Sequence, residues 1–151
     1  EVIAAADLLK KDWGIEADIW SCPSFTLLAR DGVATARWNL LHSTVEPRKP
    51  YVQQCLENTE GPVIASTDYV RAFADQIRPY VSRPYKVLGT DGFGRSDTRE
   101  KLRHFFEVDR YWVTTASLAA LAEEEKLDPA KVAEAIKKYG IDVDKPNPLT
   151  V

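Results

Sequence analysis

The chain has 151 residues, of which 44% are hydrophobic and 28% charged, so its composition is that of an ordinary globular protein with one domain over residues 1–151. No apolar run approaches the ~20 residues that span a bilayer, which excludes a membrane protein. The formal charge of −3 argues against a nucleic-acid partner, because proteins that neutralise phosphates are normally basic.

The two cysteines, Cys22 and Cys55, have no Cys-x-x-Cys spacing, and the chain has no paired histidines. This pattern predicts neither a zinc site nor a disulfide framework. It fits a reducing compartment, and no signal peptide is recognisable, so we expect a cytoplasmic protein.

The first third of the chain predicts three helices and one strand. A helix runs from residue 1 to about Asp12 and ends at Gly14, and residues 17–20 form a short strand. Ser24 caps a helix that ends at Asp31-Gly32, and a further helix covers residues 33–42. Since a helix of an α/β domain normally follows a strand, we expect the chain to be a fragment of a longer one, with its first strand upstream of Glu1.

The middle of the chain alternates strands and helices. A short helix is predicted near Tyr51, a strand at residues 61–66, and an amphipathic helix over 70–81. Val87 and Leu88 form the next strand, and a helix follows. This order predicts an α/β fold with a mostly parallel sheet covered by helices on both faces.

The last part of the chain is predicted to be helical up to Gly140. One helix begins after Asp109, and Asp128 with Pro129 begins another. Residues 141–151 contain two prolines and are expected to form an extended tail on the surface.

A glycine-rich loop lies between the strand at Val87 and the following helix. Asp97 and Glu100 have the spacing of a capping box at the start of that helix. The loop does not match the dinucleotide or phosphate-loop glycine patterns, so a capped turn is favoured over a nucleotide site. A strand, a glycine loop and a helix N-terminus can nevertheless bind an anion or a partner, for which the candidate residues are Gly92, Gly94, Arg95 and Ser96.

No catalytic residue, metal ligand or cofactor-binding residue is predicted in this segment. His42 and His104 have no recognisable nucleophile or acid at catalytic spacing, so both are interpreted as structural. A basic and aromatic patch at residues 78–86 is a weaker candidate for a partner contact.

Four segments carry a family resemblance: residues 88–96, Ser66-Thr67-Asp68-Tyr69, Arg37-Trp38-Asn39 and Phe105-Phe106-Glu107-Val108-Asp109. Together they resemble the C-terminal domain of homodimeric bacterial pyruvate dehydrogenases, which are thiamine-diphosphate enzymes of transketolase type. The resemblance covers nearly the whole chain. Gly89, Phe93, Gly94 and Ser96 also match the corresponding domain of transketolases.

The resemblance implies a three-layer α/β/α sandwich on a mostly parallel mixed sheet. It also implies a full-length homodimer that holds thiamine diphosphate and Mg²⁺ in its other domains, decarboxylates pyruvate and acetylates the lipoyl group of a dihydrolipoyl acetyltransferase. The segment itself is then a non-catalytic assembly domain that contacts the rest of its own chain and a second subunit. Two alternatives remain: the C-terminal domain of a transketolase, and a regulatory anion-binding α/β module.

Overall fold

The computed structural model describes residues 1–151 and contains seven α-helices, one 3₁₀ turn and two strands. In chain order, the elements are α1 (Val2–Trp13), α2 (Phe25–Leu41), α3 (Tyr51–Leu56), β1 (Val63–Ser66), α4 (Arg71–Asp75), the 3₁₀ turn Arg78–Tyr80, β2 (Tyr85–Leu88), α5 (Arg99–Phe105), α6 (Arg110–Glu123) and α7 (Pro129–Lys138).

The helix boundaries follow from local capping chemistry. Ser24 accepts a hydrogen bond from the backbone N–H of Leu27, and Asp128 accepts one from that of Ala130. Gly14 ends α1 in the left-handed conformation, at φ 68°, where its N–H bonds the last carbonyls of the helix. The predicted caps Ser24, Asp128 and Gly14 are therefore confirmed.

β1 and β2 form a parallel pair in which Val63 lies opposite Tyr85 and Ser66 opposite Leu88. Val63 and Ala65 of β1 pack with a core from α2, α3, the turn before β2 and β2 itself, formed by Ala29, Val52, Ile77, Val81 and Tyr85. Lys86 forms an ion pair with Glu123 of α6. The sheet thus lies between two helical layers, and the predicted α/β class is confirmed, although the sheet has only two strands.

A second core joins α1, α6 and α7. Leu9, Leu118 and Ala135 are buried together, and the indole N–H of Trp13 donates to the Tyr139 hydroxyl at 2.8 Å. Burial raises the pKa of Tyr139 to about 12, because the phenolate would lose its hydration. The beginning and the end of the chain are therefore fixed to each other.

The predicted strand at residues 17–20 is wrong. Residues 16–21 are exposed and have no regular secondary structure, and no backbone hydrogen bond involves residues 16–22. A strand needs a neighbour to bond its N–H and C=O groups, and this segment pairs with neither strand of the sheet.

The predicted break at Asp31-Gly32 is also wrong, because α2 runs through both residues. Gly32 is buried inside the helix, where a Cβ would lie 2.3 Å from Cε2 of Tyr80. The glycine is needed for close packing against that ring, and it does not end the helix. The following apolar residues, among them Val33, Leu40 and Leu41, are exposed.

The helix predicted over 70–81 is interrupted. α4 ends at Asp75, and the 3₁₀ turn Arg78–Tyr80 follows, because Pro79 has no N–H to continue an α-helix. The apolar spacing identified only part of the core, since Ala74, Ile77 and Val81 are buried but Val70 and Phe73, which share the predicted face, are exposed.

Candidate functional site

The glycine loop follows β2 and packs against the segment after β1. Gly89 is buried where the loop approaches residues 69–71 closely. A Cβ there would lie 2.6 Å from Cγ of Arg71 and 2.8 Å from the Tyr69 carbonyl oxygen, so only glycine fits. The Thr90 N–H donates to that same carbonyl at 3.0 Å. These contacts join the ends of the two parallel strands.

Asp91 is engaged within the loop. Its carboxylate accepts from the backbone N–H of Arg71 at 3.0 Å and from Nε of the same residue at 2.5 Å. The two bonds fix the start of α4 against the loop. The carboxylate that would repel a bound anion is therefore neutralised by an arginine of the neighbouring segment.

Gly92 lies beneath the C-terminal tail. Its φ is 107°, and a Cβ on it would lie 2.2 Å from the carbonyl oxygen of Pro148. Pro148 is buried, and Lys145 pairs with Glu107 at 2.9 Å. The tail is therefore packed against the loop and against the residue Glu107.

The other predicted anion residues do not converge with Gly92 on one point. Gly94 has open space around it, and Ser96 is exposed and makes no hydrogen bond. The Arg95 guanidinium lies 4.4 Å from the centre of the Phe105 ring, where the cation contacts the π face. Binding of an anion at these four residues stays a prediction.

The capping box predicted at Asp97 is wrong by one residue. The N-cap of α5 is Thr98, whose hydroxyl accepts from the Lys101 N–H, while Asp97 accepts from the N–H of Thr98. Thr98 was missed because the acidic residue beside it matches the same motif. The helix has seven residues, so it presents only a short dipole to the loop.

The two histidines lie in different environments. His104 Nδ1 is 2.8 Å from the carboxylate of Asp109, which also caps α6 through the N–H groups of Tyr111 and Trp112. His42 stacks on Trp38, with ring centres 4.1 Å apart, and its Nδ1 lies 2.8 Å from the Trp38 carbonyl. Neither ring contacts a serine or cysteine nucleophile.

A groove with a volume of about 1130 Å³ lies beside β1. Of its 41 lining residues, 24 are hydrophobic. Residues of α1, α2, α3, α6 and β1 line it, as do Tyr85 at the start of β2, the connection at residues 59–62 and the segment 16–22, which has no secondary structure. Sequence patterns did not predict this groove, although the strand pattern at residues 17–20 marked one of its walls.

For two of the ionisable groups that line the groove, burial is the main cause of a raised pKa. Burial is the main cause for the Cys22 thiol, and also for Tyr85, whose hydroxyl donates to the Ala74 carbonyl at 2.7 Å. Both groups are therefore neutral at pH 7, and the thiol is a poor nucleophile.

The structure shows neither a cluster of metal-ligating side chains nor a helix able to cross a membrane. No group of three or more histidine, cysteine, aspartate or glutamate side chains lies close enough together to hold a metal ion. None of the helices combines the length and apolar character that crossing a membrane requires.

Comparison with known proteins gives a consistent result. Residues 1–109 match the model of the transketolase-like C-terminal domain family. The chain is 70% identical over its whole length to the pyruvate dehydrogenase E1 component of Cupriavidus necator, and 61% identical over 99% of its length to that of Pseudomonas aeruginosa. It is 52% identical over 95% of its length to that of Escherichia coli K12. The chain spans only 17%, 17% and 16% of these relatives, respectively.

Proposed function

Because the chain belongs to the transketolase-like C-terminal domain family, we propose that it is the C-terminal structural and assembly domain of a pyruvate dehydrogenase E1 component. The observation that carries this proposal is the 70% identity, over all 151 residues, to a protein of that name. Identity at this level over a whole domain preserves the fold and its surfaces, so the domain is expected to have the same place in the longer protein.

The full-length protein is proposed to decarboxylate pyruvate and to acetylate the lipoyl group of a dihydrolipoyl acetyltransferase reductively. It would do so as a cytoplasmic homodimer with thiamine diphosphate and Mg²⁺, and the thiazolium ring would supply the electron sink for decarboxylation. These statements concern the longer protein and come from the family resemblance.

The residues of this segment do not fit the cofactor. Asp31 and Gly32 lie inside α2, where Gly32 is covered by Tyr80 and Asp31 accepts a hydrogen bond from the Tyr51 N–H at 2.6 Å. Asp91 is paired with Arg71. Both Asp-Gly pairs therefore have structural partners, and we assign no step of the reaction to this segment.

The surface supports a role in assembly. Seventeen large hydrophobic side chains are exposed, including Val33, Leu40 and Leu41 on the outside of α2. Leu40 is 79% exposed. Removing such side chains from water contributes about 25 cal/mol per Å² of buried apolar area, so these positions favour contact with other parts of the protein.

The family match by itself also fits a transketolase, whose C-terminal domain has the same fold. The three relatives described above all carry the name pyruvate dehydrogenase E1 component, which favours that assignment.

Calorimetric titration with thiamine diphosphate in the presence of Mg²⁺ tests the structural role. The full-length protein is expected to bind the cofactor, and the 151-residue chain is expected to give no binding heat. Tight binding by the 151-residue chain alone would contradict the proposal.

A further inference from the structure

The end of the chain is held against the junction of α5 and α6 by a lysine. The Lys145 side chain is only 12% exposed, and its Nζ donates to the Glu107 carboxylate at 2.9 Å. The same nitrogen lies 5.2 Å from the centre of the Phe105 ring and 5.7 Å from that of the Trp112 ring. An ammonium that has lost its water is stabilised by ring faces and by a carboxylate. We refer to Phe105, Glu107 and Trp112 as the ammonium socket.

The backbone of Glu107 is strained. Its φ is 62°, in the left-handed region, and the N–H of the next residue, Val108, donates to the Arg103 carbonyl at 2.9 Å. This is the Schellman end of a helix, where glycine is usual because it has no Cβ to clash. Gly140 fills the equivalent position after α7, with φ 64°. A glycine after α5 would relieve the strain but remove the carboxylate that Lys145 bonds, so the strain indicates a use for that carboxylate.

A second glutamate shows that strain alone does not make a socket. Glu125 follows α6 with φ 58°, and the Lys126 N–H donates to the Leu121 carbonyl at 3.0 Å, so the backbone motif is the same. Glu125 is exposed, and its carboxylate makes no hydrogen bond or ion pair. What distinguishes Glu107 is the cation bound to it and the two rings beside that cation. Glu125 is therefore a matched control for Glu107.

The ammonium socket lies beside the glycine loop. The Phe105 ring contacts the Arg95 guanidinium of the loop at 4.4 Å, as well as the Lys145 ammonium. Three residues after Lys145, the Pro148 carbonyl covers Gly92. One ring therefore contacts both the loop and the tail, and a filled socket holds the tail where it covers the loop. The covered loop follows β2 at the carboxyl ends of the parallel strands, where α/β proteins form ligand crevices.

We propose that the ammonium socket selects an alkylammonium group and acts as a latch, in which Lys145 holds the tail, residues 141–151, closed over the glycine loop. Without an ammonium in the socket, the chain beyond Ile141 detaches and Gly92 is uncovered. Ile141 itself stays in place, because it is buried and its N–H donates to the Ile136 carbonyl of α7 at 3.0 Å. The latch depends on charge as well as shape, since an uncharged side chain of the same length leaves the carboxylate and the ring faces without a cation.

This latch goes beyond the proposed function and does not depend on it. Its tests measure amide hydrogen exchange in the full-length protein and are independent of catalysis. A full-length protein with no pyruvate dehydrogenase activity can therefore still confirm the latch, and an active one can still refute it.

The first test removes the charge of the lysine and keeps its length. In the full-length protein, Lys145→Met is expected to accelerate amide hydrogen exchange at Leu149 and Thr150 by about tenfold or more, since both N–H groups bond within the tail. Exchange at Ile141 should not change. Lys137→Met is the matched control, because Lys137 is exposed and its ammonium makes no ion pair. An acceleration below about threefold, or one that Ile141 or the control variant shares, would overturn the latch.

The second test uses the two strained glutamates. Glu107→Gly and Glu125→Gly each relieve a left-handed φ, but only the first removes a carboxylate from the socket. In the full-length protein, exchange at Leu149 and Thr150 is expected to be about tenfold faster in the first variant and unchanged in the second. Equal exchange in the two variants would refute the role given to the Glu107 carboxylate.

The third test separates recognition of an ammonium from ordinary packing. The group that Lys145→Ala removes has the size and charge of propylammonium. Adding about 50 mM propylammonium to this full-length variant is expected to slow exchange at Leu149 and Thr150 by about threefold or more, because a ligand that binds only the closed form favours it by mass action. The same concentration of n-propanol or of sodium chloride should not slow exchange. No slowing with propylammonium, or equal slowing with either control, would refute the selectivity of the socket for an alkylammonium group.

Discussion

Gly32 is the residue on which the contact between α2 and the turn before β2 depends. The ring of Tyr80 occupies the space where any other residue would place its Cβ. Gly32→Ala should improve helix propensity by about 1 kcal/mol but force the ring out of its site, so we expect a net destabilisation of about 1–3 kcal/mol. Urea denaturation measures this change.

A second substitution separates the two effects. In a Tyr80→Ala background the clash is gone, so adding Gly32→Ala should be neutral or stabilising in the same denaturation experiment. An equal destabilisation in both backgrounds would contradict the packing explanation.

Glu1 connects the start of α1 to the start of α6. Its carboxylate accepts from Nε of Arg110 at 2.9 Å, and Arg103 lies 3.1 Å away. Hydrogen bonds from the Arg110 side chain lower the pKa of Glu1 from 4.5 to about 2. A lowered folded-state pKa stabilises the protein above the unfolded value, and this stabilisation is lost as the pH falls from about 4.5 to about 2.

Glu1→Gln should therefore reduce the free energy of unfolding by about 1 kcal/mol at pH 7 and have almost no effect near pH 2. Urea denaturation at the two pH values measures the difference. Glu46→Gln is the control, because Glu46 is exposed and its carboxylate makes no hydrogen bond or ion pair. A penalty for Glu1→Gln that is the same at both pH values would exclude this ion pair as its cause.

At the scale of elements, the C-terminal tail and the glycine loop form one packed unit. Gly92 has a positive φ, and the Cβ of Gly92→Ala would lie 2.2 Å from the Pro148 carbonyl oxygen. This substitution should therefore displace the tail and lower the free energy of unfolding by about 1–3 kcal/mol. Gly94→Ala meets nothing within 4 Å and should have little effect. Amide hydrogen exchange at Leu149 and Thr150, whose N–H groups bond to Asn147 in the tail, should be faster only in Gly92→Ala, and equal rates in the two variants would contradict the packing of the tail on this glycine.

The start of α6 is capped more completely than the start of α7. Asp109 accepts from two backbone N–H groups and lies beside His104, whereas Asp128 accepts from one and is exposed. Asp109→Ala should lower the free energy of unfolding by about 2 kcal/mol, and Asp128→Ala should lower it by about 1 kcal/mol. Thermal denaturation compares them, and an equal or smaller effect at Asp109 would contradict the importance of the second bond and the histidine.

Local chemistry explains which elements were predictable from the sequence. Caps such as Ser24 and Asp128 and the strand at Val63 depend on near neighbours, and they were predicted correctly. Gly32 was misread because its reason is the distant ring of Tyr80, and residues 17–20 because a strand also requires a partner. At the candidate anion site, the sequence located the loop, but the cover over Gly92 comes from a tail more than 50 positions away.

For the whole molecule, we propose that this domain supports a catalytic protein without contributing a reacting group. Its histidines are the natural general acids and bases, yet His104 is bonded to a helix cap and His42 is stacked on Trp38. Loss of a general acid or base typically lowers a rate by about 10²–10⁴.

The most direct measurement is the kcat of pyruvate decarboxylation in the full-length protein carrying His42→Gln, His104→Gln or Arg95→Met, with Tm recorded for each variant. The structural role predicts kcat values within about threefold of the unsubstituted protein for all three. A fall of about 100-fold or more in any variant whose Tm is unchanged would place a catalytic group in this domain and contradict the account.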